Sequence, residues 1–212
     1  MLVVGLGNRG VTPDSLGPRV AERVFVTRHI KEHMPEAFDF DIPSVCAIAP
    51  GVLGVTGVET MDIVFGVANK VKPDLIIAVD ALASRRAARI STTIQLSDSG
   101  ISPGSGVGNT RADLSRANLG VPVIAVGVPL VVYASTISQD TISLIADETG
   151  LHGDEERLRE LAEQVIAKHM GDFIVTPKDI DVIVEDMAGI IANAINSALF
   201  GNNLEQVRNM LA

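Results

Sequence analysis

The chain has 212 residues, of which 47% are hydrophobic and only 3% aromatic, and this suits one core built mainly from Val, Ile, Leu and Ala. Its formal net charge of −9 argues against a broad phosphate-binding surface and therefore against direct binding of nucleic acid. The single cysteine, Cys46, excludes an internal disulfide, and no secretory signal pattern opens the sequence, so we expect an intracellular, cytoplasmic protein.

Predicted strands and helices alternate along the first two thirds of the chain. Short apolar runs predict strands at 2–6, 44–49, 75–79 and 121–126, and a weaker alternating run predicts one at 92–96. Helices are predicted from the turn at residue 14 to about residue 34, and from about residue 60 to the Lys72-Pro73 step. The clearest strand, 75–79, delivers Asp80 at its carboxyl end, where open α/β sheets place their ligand sites.

The last third of the sequence is predicted to be helical. A loop rich in Gly and Ser at 98–109 precedes the last predicted strand, and helices follow at 133–149, 154–169 and 177–199. Thr176 is the predicted cap of the last helix, with Pro177 in its first turn. No apolar run, including 121–134, reaches the roughly 20 residues of a membrane helix without a proline, so no membrane span is expected. We predict one α/β domain over 1–212 with a helical C-terminal part from about residue 131.

The segment Gly5-Leu6-Gly7-Asn8-Arg9-Gly10 has the GxGxxG spacing of a dinucleotide-binding turn. In such a site the third glycine lies inside the helix, but Pro13 follows here, and proline belongs at a helix start. A plain strand-to-helix turn is therefore the preferred interpretation, with nucleotide binding through residues 5–10 kept as an alternative.

Other common catalytic groups find little support in the sequence. There is no GxSxG elbow, and no CxxC or HExxH spacing for zinc. Cys46 lies in an apolar run, where a free cysteine is usually a small buried hydrophobe. The four histidines lie in polar helical stretches and are interpreted as surface residues: His29, His33, His152 and His169.

Two aspartates, Asp14 and Asp80, are predicted to lie at the same edge of the parallel sheet. When two carboxyl groups approach closely, one keeps a proton while the other polarises water, and this is general acid and base chemistry. The alternative is that Asp14 only caps a helix and Asp80 only forms a turn.

Several long motifs, in the same order along nearly the whole chain, resemble the germination protease family of spore-forming bacteria. The motifs are Gly5-Leu6-Gly7-Asn8, 11–18 (VTPDSLGP), 49–60 (APGVLGVTGVET), 79–85 (VDALASR), 102–109 (SPGSGVGN), 175–180 (VTPKDI) and 186–188 (DMA).

The resemblance implies an atypical aspartic endopeptidase that degrades small acid-soluble, DNA-binding spore proteins in the spore core at germination. The two essential family aspartates fall on Asp14 and Asp80. The implied fold is similar to that of hydrogenase maturation proteases, an α/β three-layer sandwich with a mostly parallel twisted central sheet flanked by helices. Family members are tetramers made as zymogens, so a homo-oligomer is expected. No cofactor, metal, membrane or direct nucleic acid contact is predicted.

Four further residues in these motifs are predicted to line the substrate pocket: Asn8, Glu59, Arg85 and Asn109. Family members carry an N-terminal portion, including a propeptide, before the Gly-Leu-Gly-Asn turn, and this sequence has almost none of it. A shortened, non-catalytic homologue that acts as a binding or assembly module is therefore the alternative function.

Overall fold

The computed structural model describes residues 1–37, 41–104, 112–150, 155–169, 171 and 173–211. Part of the predicted loop at 98–109 lies outside these ranges.

Six strands form one mixed sheet in the described part of the chain. They are β1 (Leu2–Gly5), β2 (Cys46–Ile48), β3 (Ile76–Ser84), β4 (Gln95–Ser97), β5 (Val123–Tyr133) and β6 (Ile174–Val175). The order is β2-β1-β3-β5-β4, with parallel pairing along β2-β1-β3-β5. β4 and β6 both pair antiparallel with β5. The mostly parallel sheet confirms the predicted α/β class.

Helices cover both faces of this sheet. Their bounds are α1 (Leu16–Arg23), α2 (Arg28–His33), α3 (Leu53–Thr56), α4 (Thr60–Val71), α5 (Arg116–Leu119), α6 (Ala134–Thr149), α7 (Glu155–His169), α8 (Ile180–Phe200) and α9 (Leu204–Leu211). On one face, α1 and α8 share a buried cluster with alternate residues of the strands, such as Val3 and Val79. On the other face, α4 packs on the intervening residues, such as Val4 and Ala78. The strands are hydrophobic on both sides because both sides are covered.

The helix predicted to run to about residue 34 is broken after Arg23. The side chain of Asn196 on α8, itself buried, accepts a hydrogen bond from the N–H of Phe25 at 2.9 Å and donates one to the carbonyl oxygen of Arg23 at 3.1 Å. These bonds satisfy backbone groups at the end of α1, and Val24 takes an extended conformation. The prediction of a single helix was wrong because the residue that ends it lies 171 positions away from Phe25.

Two predicted boundaries also change. β3 continues through Asp80 to Ser84, because β5 runs beside it and pairs with it over that whole length. The cap predicted at Thr176 is wrong: α8 begins at Ile180, directly after Asp179.

Two glycines bring α1 unusually close to β1. A methyl group added to Gly17 would overlap the backbone of Leu6, and one added to Gly5 would overlap the carbonyl group of Gly17. The helix therefore rests on the strand through backbone atoms. This contact fixes α1, and with it the turn that carries Asp14.

One helical stretch among the described residues, Ile180–Leu211, has the length and mean hydropathy (1.3) of a membrane-crossing helix. One face of α8 is nevertheless part of the core over the sheet, and the buried Asn196 on that face is hydrogen-bonded to the α1 region. About a third of the apolar window of this stretch, 33%, is buried inside the fold.

Candidate active site

Asp80 lies at the row of the sheet where β1 stops. It is the fifth of nine residues in β3, and the last β1 residue, Gly5, pairs with the preceding Val79. The chain then leaves the sheet after Leu6, whose N–H donates to the carbonyl oxygen of Val79 at 2.8 Å. The carboxyl group of Asp80 therefore lies inside the fold, with 7% of the residue exposed. It accepts a 2.9 Å hydrogen bond from the N–H of Ala81.

Asp14 is placed by the turn that follows β1. It ends a short 3-10 turn, Thr12–Asp14, which packs against β3, β5 and α8. Its Oδ2 accepts a 2.7 Å hydrogen bond from the backbone N–H of Asn8. Gly7 has φ +109°, and a methyl group there would overlap the carbonyl oxygen of Asp14. Only glycine allows the loop to close on the aspartate in this way.

The two carboxyl groups lie within electrostatic reach of each other. Burial raises the pKa of Asp80 from 3.8 to about 8; the negative charge of Asp14 is the second cause, and the hydrogen bond from Ala81 acts in the opposite direction. Burial also raises the pKa of Asp14, while the hydrogen bond from Asn8 lowers it. At neutral pH, Asp80 therefore holds a proton that an exposed aspartate would have lost.

Each carboxyl group accepts one backbone hydrogen bond, but Asp14 is less buried than Asp80, so its charged form is less costly. Two interacting carboxyl groups, one of them protonated, could supply one acid and one base.

The predicted pocket residues are placed differently from one another. The backbone N–H of Asn8 contacts Asp14, and the side-chain Oδ1 of Asn8 accepts a 2.9 Å hydrogen bond from the N–H of Gly10. Glu59 is half-buried at the residue before α4. Arg85 is exposed, five residues after Asp80, which is about 16 Å along an extended chain. Asn109 lies outside the described residues.

Sequence reasoning missed the groups that hold the two carboxylates. They are the backbone N–H groups of Asn8 and Ala81 and the conformation of Gly7. The glycine turn after β1 was the available signal, because a glycine with positive φ often brings a backbone close to a functional group.

No cluster of metal ligands marks this site in the described part of the chain. No group of three or more His, Cys, Asp or Glu side chains is arranged there to hold a metal ion. A shallow pocket is lined by Tyr133, Glu163 and Phe173, among others. Tyr133 lies six residues along β5 from Gly127, the partner of Asp80, and this is about 20 Å in an extended strand.

Comparison with known proteins identifies relatives over nearly the whole chain. A family model described as germination protease matches residues 1–155 and 149–210. A germination protease of Clostridium acetobutylicum is 49% identical over 212 residues, covering 94% of this chain and 65% of the relative. One from Caldanaerobacter subterraneus subsp. tengcongensis is 49% identical over 224 residues, covering 100% of this chain and 69% of the relative. One from Bacillus cereus is 43% identical and covers 93% and 66%.

The chain thus spans about two thirds of the length of these relatives, 65% of the first. Among solved structures, a proteasome-assembly chaperone homologue from Mycobacterium tuberculosis matches at 13% identity, over 82% of this chain and 97% of that chain, with a TM-score of 0.28, which is too low to support a fold comparison. The sequence relatives and the family model confirm the resemblance seen in the motifs: the chain belongs to the germination protease family.

Proposed function

We propose that this chain is an endopeptidase that hydrolyses small acid-soluble, DNA-binding spore proteins during germination, with Asp14 and Asp80 as its catalytic residues. The observation that carries the proposal is the buried Asp80, whose pKa is raised to about 8 by burial and by the charge of Asp14. Strongly perturbed carboxyl pairs are characteristic of acid and base catalysis. Membership of the germination protease family supports the reaction class.

The proposed reaction uses one proton on the pair. The Asp14 carboxylate takes a proton from water as the water oxygen attacks the peptide carbonyl carbon, and Asp80 donates its proton to the carbonyl oxygen. When the tetrahedral intermediate collapses, the proton on Asp14 passes to the leaving nitrogen. The hydroxyl formed on the former carbonyl oxygen returns its proton to Asp80. Water has then been added across the C–N bond, and both side chains are restored.

This assignment predicts how cleavage depends on pH. Activity should fall above about pH 8, because Asp80 loses the proton it must donate. Activity should also fall at acid pH, when Asp14 becomes protonated and can no longer accept a proton from water. Since the two groups interact, the two limbs of the pH profile report the pair rather than either residue alone.

The direct test is to replace each aspartate by Asn and assay cleavage of a purified small acid-soluble spore protein. Each variant should lose a factor of roughly 10²–10⁴ in kcat. Asp74→Asn is the control, because Asp74 is an exposed aspartate in the turn before β3. Far-UV circular dichroism checks that each variant is folded. Turnover at the wild-type rate by either variant would disprove the pair mechanism. A wild-type chain that binds the spore protein without cutting it would instead support a non-catalytic binding module.

We further propose that the chain forms a homo-oligomer in the cytoplasm of the spore core and contacts neither DNA nor a membrane directly. The support for association is a group of large apolar side chains left exposed on and around α6 and α7: Leu144, Ile145, Leu158, Leu161, Val165 and Phe173. The net charge of −9 supports the absence of direct DNA binding. Light scattering after size-exclusion chromatography tests the oligomer, and a Leu161→Glu variant that still associates like wild type would argue against this surface.

A further inference from the structure

The outer edge of β4 has no strand beside it in the described structure. β4 is the last strand of the sheet, and its three residues pair only with β5. None of the backbone hydrogen bonds among the described residues uses the outward-facing N–H and C=O groups of Gln95–Ser97. An open edge of this kind is a template for pairing with another extended chain.

The side chains at this edge are suited to a polypeptide. Leu96 is 73% exposed and Ile94 is 42% exposed. Leu96 lies opposite Val126, so it is on the same face of the sheet as Ile124, two residues before Val126 and itself 37% exposed. An added strand would find both free backbone groups and apolar side chains here.

The segment that leads into β4 contains one residue in a strained backbone conformation and two buried hydroxyl groups without a hydrogen bond in the described structure. Ser91 has φ +58°, in the left-handed region that is costly for residues other than glycine. The hydroxyl groups of Ser91 and Thr93 are buried and make no hydrogen bond in the described structure. Strain and unsatisfied polar groups of this kind concentrate at binding sites.

The β4 edge is in register with the catalytic centre. Gln95 of β4 pairs with Gly127 of β5, and Gly127 pairs with Asp80 of β3. Neighbouring strands are about 4.8 Å apart, so a strand added outside β4 would lie about 14 Å from Asp80. About four residues of extended chain are needed to span that distance.

We propose that the free edge of β4, with the exposed side chain of Leu96, is an exosite that binds an extended segment of the polypeptide substrate as a further strand, at least about four residues from the scissile bond. The inference rests on the proposed peptidase function. A second copy of this chain is a weaker occupant, because an edge of three residues falls far short of the roughly 800 Å² per partner that a stable dimer buries.

The exosite predicts that long and short substrates respond differently to a change at Leu96. In Leu96→Lys, the KM for a small acid-soluble spore protein should rise about tenfold while kcat is unchanged, because an apolar contact made in binding is lost. Cleavage of a synthetic peptide of about six residues centred on the cut bond should not change, because its three residues on either side span about 10 Å and fall short of the outer edge of β4. Leu96→Val should bind the spore protein with most of the wild-type affinity, because valine keeps an apolar side chain at this position. Ile190→Lys, at an isoleucine that is 52% exposed on α8, is the matched control.

Hydrogen exchange provides a second measurement that does not require cleavage. When the spore protein is added to the Asp80→Asn chain, the backbone amides of Gln95–Ser97 should exchange more slowly. A wild-type KM for the protein substrate in Leu96→Lys, or an equal effect on the six-residue peptide, would overturn the exosite. So would substrate binding without slower exchange in β4, or slow exchange that depends only on enzyme concentration, which would point to self-association. If the wild-type chain cleaves neither substrate, the proposed function fails, and the exchange measurement still decides the exosite.

Discussion

Replacing Asp80 by Asn should make the protein more stable than wild type at pH 8, with a gain that shrinks as the pH falls. Asparagine keeps an oxygen to accept the hydrogen bond from Ala81, and it cannot ionise. Between pH 3.8 and about 8, the folded wild type holds a proton on Asp80 that the unfolded chain has lost. The stability that Asp80 contributes is therefore complete below the lower of these pH values and is lost as the pH rises towards the higher one.

The size of the effect follows from the same range of pH. One proton bound by the folded state and not by the unfolded state changes the free energy of unfolding by about 1.4 kcal/mol per pH unit. The interval from pH 5 to pH 8 lies inside the range set by the raised pKa of Asp80. The gap between the unfolding free energies of Asp80→Asn and wild type should therefore widen by on the order of 4 kcal/mol over this interval.

Urea unfolding at several pH values from 5 to 8 measures this gap directly. Changes shared by the two proteins cancel in the difference, and Asp74→Asn, altered in an exposed turn, should follow wild type at every pH. A gap that stays constant from pH 5 to pH 8 would show that Asp80 titrates normally. Asp80 could then not act as the general acid in the proposed mechanism.

Three further predictions concern the surroundings of the site. Gly7→Ala should reduce cleavage more than about tenfold and lower the melting temperature. The added methyl group would overlap Asp14, and the backbone conformation at residue 7 favours glycine. Unchanged kinetics would contradict the placement of Asp14. Asn196→Ala should destabilise the fold by about 2–3 kcal/mol in urea unfolding, because the C=O of Arg23 and the N–H of Phe25 lose their partner. A loss under about 0.5 kcal/mol would show that water replaces it. Glu185→Gln should leave the melting temperature unchanged, because its contacts with two arginines of α1 are exposed to solvent; a clear drop would show that they anchor α8.

Local patterns in the sequence were sufficient for the parts of the fold that depend on neighbouring residues. The run at 2–6 and the run ending at Val79 are short, apolar and bounded by glycine or proline signals, and both form strands that are buried on both faces. The parallel pairing expected of those strands is also observed, and the charge of Asp14 acts on Asp80.

The errors have long-range causes. The extension of β3 to Ser84 depends on pairing with β5, some fifty residues later in the chain, and the break after Arg23 depends on Asn196. Asn8 was predicted as a pocket residue, but the hydrogen bond from its backbone N–H to Asp14 was not. A backbone donor carries no signature of residue type, so sequence patterns could not identify it.

The contact between Gly5 and Gly17 limits which substitutions this chain can accept. Because main-chain atoms set the separation of helix and strand, no exchange of one side chain for a smaller one can make room for a substitution at either position. Replacing both glycines would not relieve the overlap, because each added methyl group would meet backbone atoms at or next to the other position. Saturation libraries should accept glycine alone at both sites.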